Sequence, residues 1–142
     1  MKNYVKVALF FVVFIAIGSI LTALILFNKK HPDTAKVKPD FILTATELQK
    51  EFENSESAAS AKYINKILEV TGTIVLVTPG DSANTNISLK TGNDLSNVIC
   101  TFHKLTDPSK LNPGDNITLR GECSGFLMDV LLNNCSIIPE KK

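Results

Sequence analysis

Residues 7–27, VALFFVVFIAIGSILTALILF, carry no charge, and only Gly18, Ser19 and Thr22 interrupt the apolar run. As a helix rising about 1.5 Å per residue, this stretch is about 31 Å long, which matches a hydrocarbon core of about 30 Å. A chain with such a run near its N-terminus has two routes open: a membrane span followed by whatever folds in water, or a signal sequence that is removed. The span is favoured, because a signal h-region runs about 7 to 15 residues and ends in a small-x-small cleavage site. This run is longer and closes on Leu-Ile-Leu-Phe. Gly18 and Thr22 form a small-xxx-small pair, a spacing frequent by chance in apolar helices.

The flanking charges conflict over orientation. Lys2 and Lys6 precede the run, whereas Lys29, Lys30, Lys36 and Lys38 follow it. Taken literally, the positive-inside rule puts the C-terminal part in the cytoplasm. The short cationic tail, residues 1–6, reads instead as a signal-anchor lead that stays inside while the rest is exported. An extracytoplasmic C-terminal domain on a cell membrane is the expectation carried forward, and the cysteines below support it.

The net charge of +1 hides a split. Residues 1–43 hold six Lys against two Asp, a net +4, and residues 44–142 hold nine Lys and Arg against twelve Asp and Glu, a net −3. Positive charge therefore belongs to the anchor region, and the domain lacks the basic balance expected of a nucleic-acid binder. Residues 28–43 read as a juxtamembrane linker, since Pro32 and Pro39 forbid a continuous helix and the polar mix buries no core. Residues 44–142 leave room for one small domain.

Within that domain Thr44 and Glu47 have capping-box spacing, so a helix starts there with Leu48 and Phe52 on its apolar face. A second short helix is expected over residues 58–64, turning Ala61, Ile64 and Tyr63 inward. From Ile67 the β-branched run through Thr78 predicts a long strand, with Gly72 marking a bulge or a sharp coil. Strands follow at 86–90 and 97–103, then a polar segment at 104–112. Pro113-Gly114-Asp115 makes a turn, and Ile117, Leu119, Gly121 and Cys123 alternate with polar residues in the next strand. Residues 124–128 read as a turn and 129–138 as the last strand. Five strands of this kind predict a mostly β, five-stranded OB-fold-like Greek-key barrel with a preceding helix, attached to one N-terminal transmembrane helix.

The ordered set Ala61-Lys62-Tyr63, KILEVTG at 66–72, VICTF at 98–102, Pro113-Gly114-Asp115, GECSGF at 121–126, DVLL at 129–132 and Cys135 resembles the tRNA_anti-like family of bacterial OB-fold proteins. The resemblance spans residues 44–138. It implies an OB-fold in a membrane-anchored or exported bacterial protein, and no established activity, because a fold relationship with anticodon-binding domains does not carry function with it. Segment 104–112 is short where such folds commonly place a helix, so the helix before the first strand is expected to cover the barrel instead.

Cys100, Cys123 and Cys135 all fall in expected strands. Their match to the family pattern favours export, where a disulfide among them is permitted, and the sequence leaves the pairing open. Buried thiols are the alternative. Cys100 and His103 stand three residues apart on a strand and point to opposite faces, which defeats both a metal site and a Cys-His nucleophile pair. No phosphate-binding glycine loop or nucleophile elbow occurs, so no catalysis, metal or cofactor is expected.

For ligand binding an OB-fold supplies a default place: the face of its second and third strands with the flanking loops. Here that points to Lys90, Thr101, His103, the loop at 78–85 and Phe126. The plainer reading makes Lys90 a solvated strand residue and Phe126 a plug for the barrel end. Three function classes follow: an envelope binding or scaffold module for protein, peptide or glycan; a nucleic-acid-binding OB domain; and a thiol or hydrolytic enzyme. Charge and missing motifs favour the first, with the lipid bilayer as partner of residues 7–27 and nucleic acid as the alternative ligand.

Overall fold

The computed structural model describes residues 2–27, 33–79, 84–103, 105 and 108–139. Expected linker residues 28–32, positions 80–83 of the expected 78–85 loop, and Lys104 lie outside that set. Two compact units divide between His31 and Pro32.

The first unit is the single helix α1 (Lys2–Phe27), and its Lys6–Leu24 segment is long and apolar enough to cross a membrane. Its interior hydroxyls satisfy themselves on their own helix. Ser19 Oγ donates to the Ala16 carbonyl at 2.9 Å and Thr22 Oγ1 to that of Gly18 at 2.7 Å. No polar hydrogen in the middle of the run is left needing a partner, as an apolar surrounding requires.

The second unit begins before the expected boundary at Thr44. Thr34 is buried, and its hydroxyl donates to the Asn134 carbonyl at 2.6 Å. Arg120 Nη1 donates to the carbonyls of Ala35 and Val37 at 3.1 and 3.0 Å, and Arg120 Nε donates to Glu69 at 2.6 Å. The linker reading of residues 28–43 is therefore corrected from Asp33 onward. Polar composition misled it, because these carbonyls and hydroxyls find partners on the barrel rather than in water.

A strand missed in the sequence, β1 (Phe41–Thr44), runs straight into α2 (Ala45–Asn54). Thr44 serves both: its extended backbone ends the strand, and its side chain accepts from Glu47 N while Glu47 reaches back to Thr44 N at 2.9 Å. This is the expected capping box. Ser55 ends α2 and caps α3 (Glu56–Tyr63). In α3 the buried pair is Ala59 and Tyr63, one helical turn apart, while Ala61 is exposed. The helix starts two residues earlier than expected, and that shift rotates the inward face.

Five longer strands follow: β2 (Ile67–Pro79), β3 (Asn84–Lys90), β4 (Asn97–His103), β5 (Asn116–Leu127) and β6 (Asp129–Ile138), with a 3₁₀ turn at Pro108–Lys110. Residues 67–73 of β2 pair with β5, and residues 74–79 pair with β3. The order β2-β3-β4-β6-β5 thus closes back on β2, with β4 and β6 parallel and the other neighbours antiparallel. This is a closed five-stranded OB-fold barrel, and β1 adds a sixth strand parallel to β2.

Gly72 is not the bulge. It pairs regularly with Ile117, and the register shift lies between Ile74 and Leu76, where β2 changes partner. What Gly72 provides is room: a Cβ there would lie 3.0 Å from Ala45 Cβ and 3.2 Å from Leu89 Cβ. The start of α2 rests on that gap. The expected turn at 124–128 is also corrected, because β5 continues to Leu127 and the reversal falls on Met128 alone, at φ 67°. Shifts between Arg120 and Glu122 and between Cys123 and Gly125 let the longer β5 curl against β6.

α2 covers the open end of the barrel with Ala45, Leu48 and Phe52, all essentially inaccessible. Beneath them the inward positions of every barrel strand form one core, including Leu68, Ile87, Val98, Leu119 and Leu132. Phe52 stacks on Phe126 at 5.1 Å, and Tyr63 meets Phe41 edge to face at 5.0 Å.

Candidate functional site

Strict alternation along β3 and β4 buries one side of each strand and turns the other outward. Register then assembles the outward residues into rows across the barrel. One row runs Leu76, Ser88, Ile99, Leu131. The next holds Thr78, Asn86 and Thr101, and a third pairs Asn84 with His103. Thr101 Oγ1 donates to Asn86 Oδ1 at 2.9 Å, and His103 Nδ1 lies 2.7 Å from Asn84 Oδ1. Leu76 is half exposed at the border. The face is thus aliphatic at one level and amide-hydroxyl-imidazole at the next, and among the described residues these rows hold no Lys, Arg, Asp or Glu.

The sequence-derived site residues divide over this frame. Thr101 and His103 come together on it, with Asn86 and Asn84 as partners. Lys90 stands at the far end of β3, opposite Asn97. Six strand positions separate it from Asn84, about 20 Å at 3.4 Å per residue. There it borders a different groove of about 400 Å³, whose walls include Thr46, Thr71, Thr73 and Asn116. Phe126 stacks on Phe52 and lies partly buried beside Leu127 and Met128, apart from the Thr101–His103 rows. Leu76 and Leu131 are the members that sequence reasoning missed. Their signal was an aliphatic residue at outward parity, which becomes visible only once register is known.

All three cysteines are free and buried, so no disulfide joins them. Burial and the neighbouring Cys135 thiol push Cys100 well above the ordinary thiol range, and burial pushes Cys123 up to about 11. Such thiols stay protonated at neutral pH, when a nucleophile or metal ligand needs the thiolate. Cys100 faces the core while His103 is exposed on the opposite face, as the strand parity required. Among the described residues no three His, Cys, Asp or Glu side chains converge to hold a metal.

The fold has a counterpart among solved structures. A lipoprotein from Klebsiella pneumoniae subsp. pneumoniae, provisionally described as nucleic acid-binding, superposes with a TM-score of 0.57 at 18% identity, covering 68% of this chain and 91% of that one. The Schizosaccharomyces pombe Stn1-Ten1 complex matches more weakly, with a TM-score of 0.39 at 13% identity over 52% of this chain and 59% of that one. The Entamoeba histolytica asparaginyl-tRNA synthetase gives 0.40 at 14% identity over 55% of this chain and 22% of its own. No curated protein matches the sequence significantly. The tRNA_anti-like profile matches residues 1–137, essentially the whole length including α1. With the closed barrel, its helical cover and this match, the chain belongs to the tRNA_anti-like family.

Proposed function

We propose that the protein is a membrane-tethered, extracytoplasmic OB-fold module that recognises a protein, peptide or glycan through the outer face of β3 and β4 and carries out no chemistry. The observation that carries this reading is the uncharged character of the rows at Ser88–Ile99, Asn86–Thr101 and Asn84–His103, beyond which Lys90 stands. Phosphate-backbone binding draws its affinity from Lys and Arg that displace counterions, and single-stranded bases need presented aromatic rings. The described rows supply neither, whereas amides, hydroxyls and aliphatic side chains side by side suit peptide backbone or sugar. Protonated, buried thiols support the non-catalytic part. In this reading α1 is an uncleaved anchor and not a removed signal.

The description of the Klebsiella lipoprotein favours a second reading, a nucleic-acid-binding module. Fluorescence anisotropy of the full chain in detergent micelles with labelled single-stranded DNA and RNA, over a salt series, separates the two. The expected dissociation constant is weaker than about 10⁻⁴ M at physiological salt. Micromolar, salt-sensitive binding would install the nucleic-acid reading instead. For the tether, a C-terminal fusion to a phosphatase that is active only after export is expected to be active and to remain with the membrane. A silent fusion alongside an active cytoplasmic reporter overturns the orientation.

A further inference from the structure

A second surface lies at one end of the barrel, away from the β3–β4 rows. Three large apolar side chains stand almost fully out of the fold there: Leu95 in the turn after β3 at 81% exposure, and Leu127 and Met128 at the β5–β6 tip at 79% and 71%. They belong to one place. Asp129 Oδ1 accepts from Asn97 N at 2.7 Å, and Gln49 Nε2 donates to the Met128 carbonyl at 3.1 Å, so the tip is pinned to β4 and α2 together. Glu53 pins the turn from the same helix, accepting from Asn93 Nδ2 at 2.9 Å and Ser96 Oγ at 3.3 Å.

Pinned backbone with exposed Leu and Met side chains is a prepared surface, since the ordering cost is met before any partner arrives. Methionine and leucine adapt to varied apolar shapes. The fringe is acidic. Glu56 lines a shallow depression of about 590 Å³ with Leu127 and Met128, Asp94 precedes Leu95, and Glu53 and Asp129 lie between them. Hydrogen bonds from Asn93 and Gln49 hold the Glu53 carboxyl below its ordinary range, so it stays charged. Two bases stand near this end, Lys50 on α2 and Lys90, the strand partner of Asn97, against the four carboxylates.

We infer that this end of the barrel docks a cationic amphipathic segment of a partner protein, whose apolar side chains cover Leu95, Leu127 and Met128 while its Lys or Arg residues meet the carboxylates. Charge decides the occupant. An anionic leaflet or a phosphate backbone would be repelled by four carboxylates, and a second copy would bring the same negative fringe against itself. The inference stands apart from the β3–β4 reading and survives its failure.

The chain contains no Trp, so one introduced indole reports on one place. The test uses the full chain as Leu127→Trp in phosphatidylcholine nanodiscs, with Ile42→Trp as a second exposed reporter remote from the tip. The probe is a synthetic Leu/Lys amphipathic helix of about 18 residues, beside a Leu/Glu counterpart. The Leu/Lys peptide is expected to shift Leu127→Trp emission to the blue and leave Ile42→Trp unchanged, and the Leu/Glu peptide is expected to do neither. With a labelled peptide, the double variant Leu127→Ser, Met128→Ser is expected to bind about tenfold more weakly than the unaltered chain. No blue shift, equal binding of both peptides, or equal binding by the double variant overturns the proposal. Peptide-free quenching by brominated lipid names the bilayer as occupant, and a blue shift that grows with protein concentration names a second copy; either result also overturns it.

Discussion

Single residues decide how closely backbones approach in this barrel. Gly72 lies in regular strand pairing, so Gly72→Val acts through crowding against Ala45 and Leu89. Urea unfolding of the full chain in micelles is expected to show a loss of about 1–3 kcal/mol. Gly121 is tighter still, because a Cβ there would lie 2.5 Å from Cys135 Sγ. Gly121→Ala is expected to destabilise, and Cys135→Ala in the same chain to recover part of the loss, a coupling that a double-mutant cycle measures. The buried cysteines give a third outcome: with all three thiols enclosed, and burial holding those of Cys100 and Cys123 protonated, Ellman's reagent is expected to react with none at pH 8 until denaturant is added. Gly72 was legible as an exceptional position in a β-branched run, but its reason was not. Bulge and close approach leave the same mark in a sequence, and only the neighbouring Ala45 distinguishes them.

Elements join through a few charged groups whose partners are far apart in sequence. Glu51 on α2 accepts from Lys62 Nζ at 2.9 Å and Tyr63 Oη at 2.7 Å on α3. Those hydrogen bonds, Lys62's first, lower the Glu51 carboxyl below its ordinary value. A depressed folded-state value means the contribution is complete above the unfolded carboxylate range, about 4.3, and is lost as pH falls through the folded value. Both side chains of the ion pair are 40% or more exposed, so water screens it and its contribution is small. Glu51→Gln is expected to lower stability slightly at pH 7 and to converge on the unaltered chain as pH falls below the folded-state carboxyl value, as chemical denaturation across pH would register. Arg120 does the same work between Glu69 and the carbonyls of Ala35 and Val37. Arg120→Met is expected to weaken that attachment by about 1.5–3 kcal/mol and to speed trypsin cleavage after Lys36. The capping box of α2 could be read directly from Thr44 and Glu47 because its partners are local. The docking of residues 34–37 on the barrel could not, since their partners Arg120, Asn134 and Ser136 lie on strands 83 or more residues later.

At the scale of the whole molecule, the alternating strands and the uncharged N-terminal run were enough to anticipate a small closed barrel behind an apolar helix. The proposed binding face was legible only in part. Thr101 and His103 belong to it by parity alone, whereas Lys90 shares their strand pair but stands at its other end, a separation that depends on register. Phe126 could be read either as a presented ring or as a plug for the barrel end, and its stacking on Phe52 from another element is a contact that sequence spacing does not show. The missed strand β1 was too short and too close to a helix cap to announce itself, yet it is where the N-terminal segment enters the barrel. Because β1 lies parallel to β2, a pull on that segment along the strand axis loads its ladder in shear, so the hydrogen bonds share the force instead of breaking one after another. Thr34 and Arg120 take the strain first. The fold thereby has a mechanical grip at the point where its N-terminal segment enters.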